Sequence, residues 1–190
     1  EATCGFPPML EIMAVLVLLG TVIWFSAASF SHFERNSPPS RGTLFVTAIT
    51  PAGTIVNFMV WRRLLDPVAP HATLLALALG LLAAFIFWSA QKSAPSRLLG
   101  RAFSDHTPGT LVDAGPYAYV RNPLYTSYLV YWLAWVPLMG GHWVAIAIFA
   151  VMLATYVGAA LGEERQLSAR LGASYQAYVA RTKRFIPWIV

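Results

Sequence analysis

Two apolar runs on either side of a diglycine constrain this chain more than any other feature. Residues 124–139 and 143–161 flank Gly140-Gly141. At about 1.5 Å of rise per helical residue, each covers roughly 24–30 Å, close to a bilayer core. Helices joined by so short a turn lie antiparallel, so the residues before the first meet the residues after the second on one face. Before the first stands Gly115-Pro116-Tyr117-Ala118-Tyr119-Val120-Arg121-Asn122-Pro123. Asn122 is placed to cap the free backbone N–H groups of a helix start, and Pro123 suits the first helical position. After the second stands Glu163-Glu164-Arg165. Two polar clusters far apart in sequence thus converge beside a hydrophobic wall.

Of the 190 residues, 57% are hydrophobic and only 11% charged. A soluble domain carries about 25% charged residues, so the chain reads as an integral membrane protein. The fold class expected is all-α and polytopic, with about five transmembrane helices ending in the hairpin. Residues 12–30 form a first span and residues 31–42 a polar loop with Pro38-Pro39. Residues 44–61 form a second span, where Thr50-Pro51 and Gly53 predict a kink. Arg62-Arg63 closes it, Pro67 and Pro70 mark a short loop, and residues 72–90 make the third span. Residues 91–122 are the longest polar segment. The chain is read as one membrane domain, 1–190: three spans in 1–90, a loop at 91–122, the hairpin at 123–162 and a tail at 163–190.

Lysine and arginine set the orientation. With the N-terminus outside, eleven basic residues fall on inner segments and only Arg62 and Arg63 on outer ones. The C-terminus and the 115–122 loop are then cytoplasmic, in an inner or plasma membrane. No nucleic acid is expected as a partner. The single cysteine, Cys4, excludes an intrachain disulfide, and no Cys/His cluster suggests a metal. His106 is the one histidine expected near the site. The chain begins without Met, so its first residues are read as a processed end, and no cleavable signal is evident.

The tail has its own pattern. Helix is expected to continue from Glu163 to Leu171, with Gly172 as its C-cap. A second short helix at 173–180 places Tyr175 and Tyr178 on one side. The basic-then-apolar run Arg181-Thr182-Lys183-Arg184-Phe185-Ile186-Pro187-Trp188 is expected to lie at the interface and fold over that end of the hairpin.

Glu163-Glu164 is the sharpest local oddity. Carboxylates near hydrocarbon need cationic partners. The plain reading is a solvated helix end paired to Arg165 or Arg121; the functional reading is that one Glu binds a cationic group on a cofactor. Tyr117, Tyr119, Tyr125, Tyr128, Tyr131 and Trp132 crowd the same end. An aromatic belt accounts for most of them, and an aromatic wall around a cation such as a sulfonium is the alternative. Thr54 and Asn57, deep in the second span, are expected to hydrogen-bond between helices.

Several stretches of residues 99–188 resemble the isoprenylcysteine carboxyl methyltransferase family and its phospholipid methyltransferase-like relatives. They are Leu99-Gly100-Arg101-x-Phe103-Ser104; Leu111-Val112-x-x-Gly115-Pro116-Tyr117-x-x-Val120-Arg121-Asn122-Pro123-x-Tyr125; Glu163-Glu164-x-x-Leu167; Leu171-Gly172-x-x-Tyr175-x-x-Tyr178; and Arg184-x-Ile186-Pro187. The resemblance implies a methyltransferase using S-adenosylmethionine in a pocket at the cytoplasmic end of the hairpin. It implies cofactor contacts from Gly109, Thr110, Leu111, Val112, Tyr117, Asn122, Pro123, Leu124 and Tyr125. Glu163 would hold the cofactor's amino group, with Arg121 and Glu164 as neighbours or secondary contacts. Two positions depart from the family. Its Arg-His-Pro is Arg121-Asn122-Pro123 here, and Asn122 cannot titrate near neutrality. Its acceptor-side Arg, one helical turn before the glutamates, is Ala159.

The reaction implied is an SN2 displacement at the cofactor methyl, in which the protein aligns the acceptor and excludes water. No catalytic side chain is assigned. A lipidic or small apolar acceptor is expected, and the lack of an obvious buried base favours a carboxylate or thiol over an amine. Membrane sterol and steroid reductases, which bind NADPH, share a similar last domain but differ at the Glu163-Glu164 position. A non-enzymatic lipid-binding relative is the third reading.

Overall fold

The structure is a computed structural model that describes residues 9–31, 41–64, 66, 68–93 and 111–187. Its helices are α1 (Met9–Ser31), α2 (Arg41–Leu64), α3 (Pro70–Ser93), α4 (Pro123–Leu138), α5 (Trp143–Leu171) and α6 (Ala173–Arg181). A 3-10 turn occupies Gly115–Ala118. No strand occurs among the described residues; one isolated parallel bridge pairs Val120 with Lys183. The all-α membrane class expected from composition is the one observed.

α1, α3 and α5 are long and apolar enough to cross a membrane. The other two expected spans are helical, but they fall short of that measure. α4 has 16 residues, because Pro137 and the diglycine end it early. α2 has 24, diluted by threonines, Asn57 and terminal arginines, and it continues through Pro51. α5 has 29 residues, or about 43 Å. A hydrocarbon core is about 30 Å thick, so the charged turns after residue 161 stand beyond it.

The hairpin turn is built as its glycines require. Gly140 and Gly141 have φ of 58° and 77°, a region side chains avoid. The imidazole Nδ1 of His142 then accepts from Val144 N at 3.3 Å and starts α5. At the other end of α5, Gly172 caps the helix with φ 52° as expected.

The most extensive packing joins α3 to α4, ahead of the α4–α5 hairpin contact. α3 buries Ala76, Gly80, Ala83, Phe87 and Ala90, mostly small residues at helical spacing, which lets neighbours approach closely. An added Cβ on Gly80 would lie 3.0 Å from Leu18 Cδ2 of α1. α4 fills the centre with Tyr131, Trp132, Ala134, Trp135 and Leu138, all almost fully buried. Aromatic rings bind the layers: Phe25 of α1 lies 4.3 Å from Phe87 of α3 and 5.0 Å from Tyr128 of α4. Tyr128 lies 5.2 Å from Tyr156 of α5.

The 3-10 turn docks on the end of α3. Gly115 has φ +60°, and a Cβ there would overlap Ser93 Oγ and lie 2.8 Å from Ser93 Cβ. Gly115→Ala is therefore expected to lower stability by about 1–3 kcal/mol. At Gly158 an added Cβ meets nothing within 4 Å, so Gly158→Ala is expected to be neutral or to stabilise by up to about 1 kcal/mol. Thermal melts of purified protein compare the two; equal melting temperatures contradict the docking.

Candidate functional site

Antiparallel packing of α4 and α5 carries the start of one and the last turns of the other to the same end. The C-terminal strand-like segment completes that end. Arg121 N donates to Lys183 O at 2.7 Å, Lys183 N to Tyr119 O at 3.1 Å and Asn122 N to Arg184 O at 3.2 Å. Thr126 Oγ1 donates to Phe185 O at 3.1 Å. The tail thus folds over the hairpin end, as its basic-then-apolar pattern predicts. Trp188 lies outside the described residues.

The glutamate doublet is divided. Glu164 is the hub of the polar cluster, its side chain 12% exposed. It accepts from Asn122 Nδ2 at 2.8 Å, from Arg121 Nε at 3.3 Å and from Arg184 through Nε and Nη2, each at 3.0 Å at its shortest. Burial alone raises this carboxyl's pKa. The Arg184 and Asn122 hydrogen bonds and the charges of Arg121 and Arg184 outweigh burial and hold it below the usual carboxylate value. Arg184 is correspondingly raised by its hydrogen bond to Glu164.

Glu163 has no ion pair among the described residues. It accepts a hydrogen bond from the Tyr125 hydroxyl, and the Tyr117 phenol feels its charge. Burial, with the neighbouring Glu164 charge adding to it, raises the Glu163 pKa against the Tyr125 bond. Burial first, then Glu163, raises Tyr117 as well. One glutamate is saturated with cationic partners, and the other faces tyrosines.

Asn122 occupies the N-cap position, but its side chain makes no cap hydrogen bond. The capping role expected of it is replaced. A partly buried carboxylate offers a charge-assisted bond stronger than a neutral cap, so the amide turns to Glu164. Pro123 takes the first helical position as expected. Arg121, the expected partner of the doublet, also donates to Thr182 O. Arg165 is exposed.

The remaining predicted residues gather nearby. Val112, Tyr117 and Leu124 pack together, partly buried, and Leu111 is partly buried before them. Tyr117 O accepts from Tyr178 Oη at 2.7 Å, which anchors the 3-10 turn to α6. Gly109, Thr110 and His106 lie outside the described residues. Ala159 is 2% exposed, packed in the core one turn before Glu163. The sequence places Tyr178 on one side of the short helix and Arg184 in the basic run, but assigns neither a partner. The basic run 181–184 carried the signal for Arg184, since Glu164 needs a cation and Arg121 alone gives one contact. Outside this cluster, Arg181 pairs with Asp113 and lies 5.8 Å from the Tyr178 ring.

The fold and the site define an all-helical integral membrane protein whose hairpin delivers an acidic doublet to a polar, tyrosine-walled corner. The family model for phospholipid methyltransferases matches residues 70–174, more than half of the chain and all of α3, α4 and α5. The chain belongs to the phospholipid methyltransferase family, and is a membrane methyltransferase. No curated protein matches it.

The two glutamates have opposite linkage to pH. Glu164, with a depressed folded pKa, contributes stability that is present above its unfolded value of about 4.3 and lost as pH falls through the folded value. Glu164→Gln is expected to destabilise the neutral protein by on the order of 2 kcal/mol, as loss of hydrogen bonds to a charge does, and to blunt the acid sensitivity. Glu163, with a raised folded pKa, loses stability as pH rises between its unfolded and folded values. Glu163→Gln is expected to leave stability unchanged or raised. Melting temperatures between about pH 2 and about pH 8, which reach below the ordinary carboxylate value for Glu164 and above it for Glu163, check both signs.

Proposed function

We propose that the whole chain acts as one S-adenosylmethionine-dependent methyltransferase domain working on a lipidic or small apolar acceptor. The observation that carries this is the division of the doublet: Glu164 is satisfied inside the protein, and Glu163 keeps a carboxylate among Tyr117 and Tyr125 with no cationic partner among the described residues. That donor set fits the ammonium end of an amino acid-like cofactor, and the phenol rings fit a sulfonium. Gly109, Thr110, Leu111, Val112, Asn122, Pro123, Leu124 and Tyr125 are the proposed further contacts, with Arg121 and Glu164 behind them.

When bound, the cofactor supplies an electrophilic methyl group on positively charged sulfur. The chain's own residues bind and shield. Glu163 holds the cationic end and so fixes its direction relative to the hairpin. Tyr117 and Tyr125 keep water from the corner, where low dielectric strengthens attraction between a nucleophile and the sulfonium. The Arg121–Glu164–Arg184 cluster keeps the tail closed over the start of α4, which positions those tyrosines.

Two acceptor classes are kept. A carboxylate or thiol needs no general base, which favours an isoprenylcysteine-like reaction. The amine of a phospholipid is the alternative, and it is equally compatible with the family match. Incubating membranes with methyl-labelled cofactor and separating protein, lipid and volatile fractions distinguishes them.

We also propose an inner or plasma membrane location, five spans, the N-terminus outside and the site cytoplasmic. Among the described residues, Lys92, Arg121, Arg165, Arg170, Arg181, Lys183 and Arg184 lie toward the site end, and Arg62 and Arg63 end α2 on the other side.

Glu163→Gln is expected to weaken binding of S-adenosylmethionine and its demethylated product by about 10–100-fold, the range for one charge-assisted contact. Calorimetry on detergent-purified protein measures this. The absence of any heat from the wild-type protein with either compound overturns the cofactor reading.

A further inference from the structure

α2 carries a polar ladder on its inner face. Thr50 Oγ1 lies 3.5 Å from Tyr156 Oη of α5, and Thr54 Oγ1 lies 3.0 Å from Tyr131 Oη of α4. Asn57, three residues further on, shares that face. It is fully buried, and neither its Oδ1 nor its Nδ2 has a hydrogen-bond partner among the described residues. Two rungs are paired and the third is not. Buried amides are almost always partnered, so one without a partner among the described residues calls for a group beyond them.

The surroundings narrow that group. The other face of α2 exposes Ile55, Val56, Phe58 and Met59, an apolar surface suited to lipid. A molecule reaching Asn57 past α2 must therefore dissolve in hydrocarbon. α2 is also the wall most easily displaced. It packs far less extensively than α3, and Pro51 withholds one backbone N–H from its ladder. Its close approach to the hairpin is at Gly53, where a Cβ would stand 3.0 Å from the Trp132 ring and 3.4 Å from Ile148. An amide offers both donors and an acceptor without charge, which matches a hydroxyl and does not compensate the desolvation of an ion.

We propose that Asn57 is the polar anchor of an intramembrane site between α2 and the α4–α5 hairpin, which takes a neutral long-chain molecule bearing a hydroxyl group. The site is independent of the methyl-transfer reading, because Asn57 lies seven residues from the end of α2 opposite the glutamates.

The test uses the full chain in nanodiscs and a photoreactive long-chain alcohol, diazirine-bearing hexadecanol. Wild-type protein is expected to be labelled in α2 and α4. Unlabelled hexadecanol should displace the label, and hexadecane should not. Asn57→Leu is expected to lose the label by about tenfold or more, the worth of one hydrogen bond, while melting temperature stays equal or rises. Asn57→Gln should keep part of it. Heat from S-adenosylmethionine should be the same in wild type and Asn57→Leu, so failure of the cofactor reading and failure of this site are separate results. Equal labelling of Asn57→Leu and wild type overturns the proposal and leaves Asn57 with an internal water. Equal displacement by alcohol and alkane overturns it on wild-type protein alone, whatever the folding of the variants.

Discussion

The carboxylate of Glu164 ties together three stretches that the chain makes far apart. Arg121 and Asn122 come from the turn before α4, Glu164 from the end of α5, and Arg184 from the tail. A largely buried carboxylate left alone beside hydrocarbon is costly. Its demand for donors holds the tail against the start of α4, and the tail's backbone pairs with residues 119–122 as a result. Without Glu164 the hairpin would still form, because the diglycine and the apolar runs dictate it. The corner at its end would be open.

The same satisfaction leaves Glu163 to its tyrosines. Adjacent residues on a helix point about 100° apart, so one glutamate faces the tail and the other faces α4. The doublet is thus one structural group and one available group. Tyr125 joins the available one to the aromatic stack through Tyr156 and Tyr128, at ring separations of 6.0 and 6.4 Å. The stack is continuous with Phe25 and Phe87, so the corner rests on the layer that α1, α3 and α4 share.

Elements governed by local pattern were legible. The diglycine turn, the cap at Gly172 and the shared side of Tyr175 and Tyr178, which the structure buries, arise from spacing and residue type alone. The meeting of Arg121-Asn122 with Glu163-Glu164 arises from antiparallel geometry. The features that escaped depended on partners distant in sequence. Asn122 reads as a cap because its nearest groups are helix N–H groups, and only the fold brings the stronger acceptor within 2.8 Å. Arg184 was lost in a basic run whose members are equivalent until the tail is placed. The primacy of the α3–α4 contact was hidden because small residues such as Ala76 and Ala83 carry no obvious signal in an apolar run. Asn57 was expected to bridge helices; among the described residues Thr54 does so, and Asn57 does not.

The parallel pairing of Val120 with Lys183 has a consequence for biosynthesis. A translating ribosome emits the turn before α4 some sixty residues before the segment that will lie against it. Glu164 is made twenty residues before Arg184, so the corner closes only after residue 184 has left the ribosome. A hairpin inspected before then lacks the ion pair that holds the tail against the start of α4.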